Sequence, residues 1–194
     1  MTREQLAELY RTFKQFAWRL EARDTYGVEG ENERLQAWLE GRELPRSESK
    51  DSWKSLTSAA AAEGRFFSRV RLIGRPLTTY TRWEYSVYPD NISAREGVAL
   101  LERDWLTEHD RENPLWNTDF WLFDDQVAVV QNYAEDGTYL GPVLADDVEP
   151  FVALRRRALE LAVPYSEFTL LPDQRSDEQH VQQVEVRQEA ARIE

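Results

Sequence analysis

The chain has 194 residues, a net charge of −12, seven tryptophans, eight tyrosines and no cysteine. The lack of cysteine excludes disulfides, thiol catalysis and cysteine-ligated zinc or iron–sulfur sites. The acidic balance disfavours a broad nucleic-acid footprint, which needs a basic stripe.

Residues 2 to 16 are predicted as a helix. Thr2 and Gln5 fit a capping box, and Leu6, Leu9, Tyr10, Phe13 and Phe16 recur three and four apart. The period then changes to two, with Trp18, Leu20 and Ala22 alternating with Arg19, Glu21 and Arg23, the pattern of a short strand. GENERLQAWLEG reads as a second helix closed by Gly41, and RELPRSESK as a loop. A third helix is expected to start at Asp51 or Ser52 and stop at Gly64, its alanine run packing closely on a sheet. RFFSRVRLIG follows as a strand whose arginines alternate with apolar residues. Gly74-Arg75-Pro76 turns into a helix, PLTTYTRWEYSVY, with Pro76 expected in its first turn. GVALLERDW is a strand and LTEHDRENPLWNT a long polar connection.

DFWLFDDQVAVVQNYAEDGTYLG, residues 119 to 141, carries the clearest pattern in the chain. Two apolar runs, 120–123 and 127–133, read as strands joined at Asp124-Asp125, and Asp136-Gly137 supplies the turn of a second hairpin. A last helix, capped by Asp146 or Asp147 and carrying Pro150 in its first turn, is expected to end at Pro164. The expected fold is α/β: a mixed, largely antiparallel sheet of about five strands flanked by helices, in one domain over residues 1–170. Its core should draw on Phe13, Phe16, Leu56, Val70, Leu72, Tyr80, Val87, Leu100, Trp121, Phe123, Val127, Val129, Leu140, Phe151, Val152 and Leu159. Residues 171–194 are polar, with a weak amphipathic pattern at Val181, Val184, Ala191 and Ile193; they read as a solvated tail or a partner-docking helix. No apolar run approaches the roughly 18 residues of a membrane span, and MTREQLAELYRTF has no apolar secretory core, so a cytoplasmic protein is expected.

Acidic pairs at Asp124-Asp125 and Asp146-Asp147, and Asp136, stand where turns and caps want aspartate. His109 and His180 lack a metal-ligand spacing, and no nucleophile elbow or phosphate loop occurs. No catalytic residue, metal or cofactor is therefore assigned. What stands out is a set of arginines, carboxylates and tryptophans among apolar neighbours: Arg19, Glu21, Arg69, Arg71, Arg82 and Glu84, with Trp83, Trp121 and the strand-opening Asp119. Two readings apply. One is an ion-pair network tying the first helical region to the sheet; the other is a pocket for an anionic small molecule, with bidentate arginine donors and tryptophan walls.

WRLEARDTY, RVRLIGRPLTTYTRWEYSVYPDN, DFWLFDD and DGTYLG together resemble an uncharacterised actinobacterial family often encoded beside helix-turn-helix regulators, over about residues 10 to 168. That resemblance implies a helix-turn-helix regulator protein as partner. The order of elements, with EGRFFSRVRLIG, FWLFDDQVAVVQNY, GPVLADD and a closing helix ending in LAVP, is also similar to one half of the phospholipase D-like fold. The HxKxxxxD motif of that superfamily is missing: Asp110 and Arg111 follow His109, and no lysine occurs after Lys54. This likeness implies a degenerate, non-catalytic relative. The leading expectation is thus a regulatory or interaction module acting with such a regulator, without direct contact to nucleic acid or membrane. The runner-up is a small-molecule sensor or enzyme using the Arg/Glu/Trp pocket.

Overall fold

Period-two alternation from Phe16 makes strand β1 (Phe16–Glu21), which becomes the middle of the sheet. The structure, a computed structural model, describes residues 1–27 and 31–170. In chain order the helices are α1 (Arg3–Thr12), α2 (Glu31–Leu39), α3 (Glu48–Ala62), α4 (Thr79–Ser93), α5 (Glu108–Glu112) and α6 (Glu149–Leu161). The remaining strands are β2 (Phe66–Ile73), β3 (Gly97–Glu102), β4 (Phe120–Phe123), β5 (Val127–Tyr133), β6 (Tyr139–Leu144) and β7 (Val163–Pro164). They order as β6-β5-β4-β1-β2-β3-β7. β1, β2 and β3 run parallel, and the other neighbours pair antiparallel.

The sheet is mixed and has seven strands among the described residues, rather than about five. The two-residue β7 was not expected: Val163 and Pro164, assigned to a helix end, pair with Leu100 and Ala99 instead. Two residues are too short to display a period. The sheet's two faces differ in chemistry. Trp18, Leu20, Val70, Leu72, Leu101, Phe120 and Leu122 face α6, which buries Phe151, Val152, Leu154 and Ala158 against them. The opposite face is apolar at one end, where Ala17, Phe67, Trp121 and Phe123 meet Leu6, Phe13 and Ala60. Toward its middle that face turns polar, and the functional candidates gather there.

Several boundaries shift for identifiable reasons. α1 ends at Thr12, not near 16, because the Asp124 carboxylate accepts the N–H groups of Lys14 (2.6 Å), Gln15 (2.8 Å) and Phe16 (2.9 Å). Those amides cannot serve a helix as well. α3 starts at Glu48, capped by Ser47, about one turn before Asp51. Pro76 lies outside α4, after a cis peptide bond, and Thr78 caps that helix at Thr81 N–H. The polar connection after β3 folds into α5 and a 3-10 turn (Pro114–Asn117). Val148 is the residue before α6; Asp147 only accepts from Glu149 N–H, without a side-chain cap from Val148. Two expected core residues are exposed. Leu140 points outward from edge strand β6, and on α6 the buried stripe runs 151, 154 and 158, which turns Leu159 to the surface.

Turn chemistry matches the expectation. Asp124 and Asp125 both have φ of 55°, and Gln126 N–H donates to Phe123 O at 2.9 Å, closing a two-residue hairpin turn. At the next turn Gly137 has φ of 87°, and its carbonyl accepts from Gly27 N–H at 3.1 Å. A Cβ on Gly137 would stand 2.9 Å from Gly27 N. Gly137→Ala therefore strains both the turn and this close approach, and should cost about 1–3 kcal/mol in a urea unfolding titration.

Candidate functional site

β1 and β2 pair in parallel register, so Arg19 stands beside Arg69 and Glu21 beside Arg71 on one face. Alternation thereby turns two strands into a checkerboard of charge. Arg69 donates from Nη1 to Glu21 at 2.9 Å, and from Nε (2.9 Å) and Nη2 (2.6 Å) to Glu96. Glu96 also accepts from the Trp53 indole (2.9 Å) and the Asn91 amide (2.7 Å), so every direction it can accept from is used. Glu21 further faces Arg19 at 3.0 Å and Arg71 at 3.8 Å, while Arg71 lies 2.9 Å from Glu84. Arg71 is 1% exposed, and its guanidinium sits 5.1 Å from the Tyr26 ring centroid.

These environments divide the carboxylates. Burial alone would lift Glu21, but Arg69, Arg19 and Arg71 overcome it and draw the group down to about 2. Glu84 goes the other way: burial raises it against the pull of Arg71. Burial also raises Asp119, which accepts from the Tyr26 hydroxyl and from Ala22 N–H at 3.4 Å. Tyr10, Tyr26, Tyr80 and Tyr88 are pushed up by burial, and Tyr133 rises to about 12. The phenols thus stay protonated: Tyr26 donates to Asp119 and Tyr80 to Glu31, while Tyr133 accepts from Arg19.

Above this floor opens a cleft of about 940 Å³. Two aromatic banks flank it. Tyr10, Trp53 and Trp121 pack at 5.2 to 5.7 Å between centroids, and Tyr26, Tyr133 and Tyr139 each meet the next at 5.2 Å. The Arg19 guanidinium bridges them, 5.8 Å from the Tyr26 ring and 5.7 Å from Trp121. The first turn of α3 and α2 residue Arg34 form the mouth.

Of the residues singled out in sequence, Arg19, Glu21, Arg69, Glu84 and Trp121 line the cleft. Arg71 and Asp119 lie behind it in the buried network. Trp83 packs on Tyr80 beneath Lys50, away from the opening, and Arg82 is half-buried outside it. Sequence proximity puts Arg82 and Trp83 with Glu84, but the α4 rotation sends Glu84, not its neighbours, into the cleft. Sequence reasoning missed Glu96, Tyr26, Lys50 and Arg34. Glu96 follows Arg95, whose φ of 69° ends α4 in a glycine-type turn without a glycine to announce it. Among the described residues no group of His, Asp and Glu is placed to hold a metal ion, and no helix is long and apolar enough to cross a membrane. A family model, Domain of unknown function (DUF6879), matches residues 4–170. No curated protein matches the chain.

Proposed function

We propose that this chain, which belongs to the DUF6879 family of domains of unknown function, is a ligand-binding module that holds a small anionic molecule in the cleft over β1 and β2. One contrast carries the reading. Seven Arg or Lys against five Asp or Glu line the cleft, inside a chain whose net charge is −12. A locally cationic, aromatic-walled cleft in an acidic protein favours an anionic ligand with a planar part. Binding rather than turnover is the proposed task, because Arg69, Glu21 and Glu96 already hold one another in hydrogen bonds and Arg71 is paired with Glu84. Such a floor orients a ligand without offering it a free acid and base.

Native mass spectrometry of the full chain purified from its own host tests this. A small molecule retained in gentle spray and lost on acid unfolding is the expected result. Protein that is empty from the host, and whose melting temperature no anion moves, would overturn the proposal.

A partnership with a helix-turn-helix regulator, in the cytoplasm of an actinobacterium, is a second proposal. Its support is the same charge contrast seen from outside: drawing basic groups into the cleft leaves the rest of the surface more acidic, suited to a basic partner. Binding to the regulator should then weaken as salt rises. Affinity unchanged by salt would count against it. The tail reading at 171–194 lies outside the described residues. Likeness to a phospholipase D-like half belongs to this proposal too, supported by the central parallel strands between helices.

A further inference from the structure

The cleft is not uniform along its length. Its floor is neutralised by pairing, Arg69 against Glu21 and Glu96, and Arg71 against Glu84. Its mouth is not. There Arg34, Arg46, Lys50 and Lys54 face Glu31 and Asp51, leaving positive charge in excess. Two of these cations are committed to a carboxylate: Lys50 lies 3.4 Å from Glu31, and Arg46 2.8 Å from Asp51. Arg34 is the unusual one. It is 8% exposed, its Nη1 donates to Pro45 O, and its Nε–H is buried with no hydrogen-bond partner. Through Nη1 the same side chain holds Pro45 O two residues before Ser47, the N-cap of the 15-residue α3. Ser47, Ser49, Lys50 and Asp51 of its first turn line the same mouth, where Asp51 is already engaged by Arg46. Helix N-terminus, arginine and lysines converge on one place, and together they suit a phosphate.

One face of α3 continues inward from that place. Lys50, Trp53 and Lys54 follow at three- and four-residue spacing, and Trp53 is half-exposed against Tyr10. From Ser47 to Trp53 the helix advances about 9 Å at 1.5 Å per residue, room for a sugar between a phosphate and a stacked ring. Across the cleft, half-exposed Tyr133 and Tyr139 offer a second surface.

We propose that the ligand is a nucleoside phosphate, its phosphate at the first turn of α3 with Arg34 and Lys50, and its base against Trp53 and Tyr10. This rests on the ligand-binding reading above and gives it a chemical class. Charge at one end and aromatic surface at the other means neither half of the ligand should bind well alone.

The test uses the full chain, tryptophan fluorescence and thermal shift, with AMP, GMP, adenosine, inorganic phosphate and indole-3-acetate as probes. AMP or GMP should quench fluorescence and raise the melting temperature, while adenosine and inorganic phosphate bind at least about 10-fold more weakly. Lys50→Ala and Arg34→Gln should each weaken the nucleotide by about 10-fold or more and leave adenosine unchanged. Lys50 is partly exposed, so its variant folds even where the Arg34 variant does not. No response to either nucleotide, or equal affinity in wild type and Lys50→Ala, would overturn the inference. In that event indole-3-acetate separates the two levels: its binding preserves the ligand-binding cleft without the nucleoside phosphate, and its failure, together with protein that is empty from the host and a melting temperature that no anion moves, removes both.

Discussion

Glu21→Gln is expected to lower the unfolding free energy by about 3–5 kcal/mol at pH 7, the usual loss when one partner leaves a buried charge set. Glu21 is 2% exposed and stands between Arg69, Arg19 and Arg71 at 2.9, 3.0 and 3.8 Å. Glutamine keeps the shape and removes only the charge, leaving three guanidiniums to share Glu84 and Glu96. Glu84→Gln should cost less, about 1–3 kcal/mol, because burial already opposes the charged form there, although the amide gives up the 2.9 Å ion pair with Arg71. The pH dependences have opposite signs. Glu21 is lowered on folding, so its contribution is full above about 4.5 and is lost as pH falls toward 2. Glu84 is raised, so its contribution is full below the ordinary carboxylate range and is lost as pH rises through its raised value. Urea titrations from pH 3 to pH 8 should therefore show the Glu21→Gln deficit shrinking in acid. The Glu84→Gln deficit should shrink toward alkaline pH. Equal deficits in the two variants at pH 7 would contradict this division of roles.

The second large effect belongs to Asp124, through backbone rather than charge pairing. Its carboxylate gathers three consecutive N–H groups between α1 and β1, and its own N–H donates to Phe16 O at 3.1 Å. A residue at φ of 55° thus fastens the β4–β5 turn to the entry of the central strand. Asp124→Ala loses the anchor and replaces a residue type that tolerates left-handed backbone with one that does not, for a total of about 3 kcal/mol. Asp124→Gly relieves the backbone but not the hydrogen bonds, about 2 kcal/mol. Asp124→Asn keeps one carbonyl oxygen for Gln15 and Phe16 and should cost about 1 kcal/mol. Urea midpoints should fall in the order Asn, Gly, Ala. Hydrogen exchange at Gln15 and Phe16 should quicken in the last two. A flat series would mean that the loop is held by Phe13 packing alone.

Local signals carried well where one residue type has one physical use. Asp-Gly and Asp-Asp mark hairpins, Gly41 and Gly64 close helices through positive φ, and alternation at β1 and β2 marks strands whose two faces differ. The same alternation put Arg19, Glu21, Arg69 and Arg71 in one set. What sequence could not supply is which elements lie opposite that set. Glu96, the fullest partner of Arg69, is 27 residues away across α4 and reaches it only because β3 pairs with β2. Arg34 and Lys50 belong to helices whose spacing tells of their apolar faces, while their place at the cleft follows from the packing of Leu35 and Trp38 on Tyr80 and Trp83, and of Trp53, Leu56 and Ala60 on Phe67 and Trp121. Leu140 read as core because alternation cannot tell a strand in the middle of a sheet from one at its edge.

The split between faces bears on how the chain is made. The apolar face holding Trp18, Leu20, Leu72, Phe120 and Leu122 is covered by α6, the last helix among the described residues. During synthesis from the N-terminus, six strands can therefore assemble while only the Leu106–Trp116 connection covers part of that face. Until Phe151 through Ala158 have left the ribosome, the nascent protein carries a broad greasy surface that invites chaperones or other nascent chains. The emergence of one amphipathic helix turns a sticky intermediate into a finished protein.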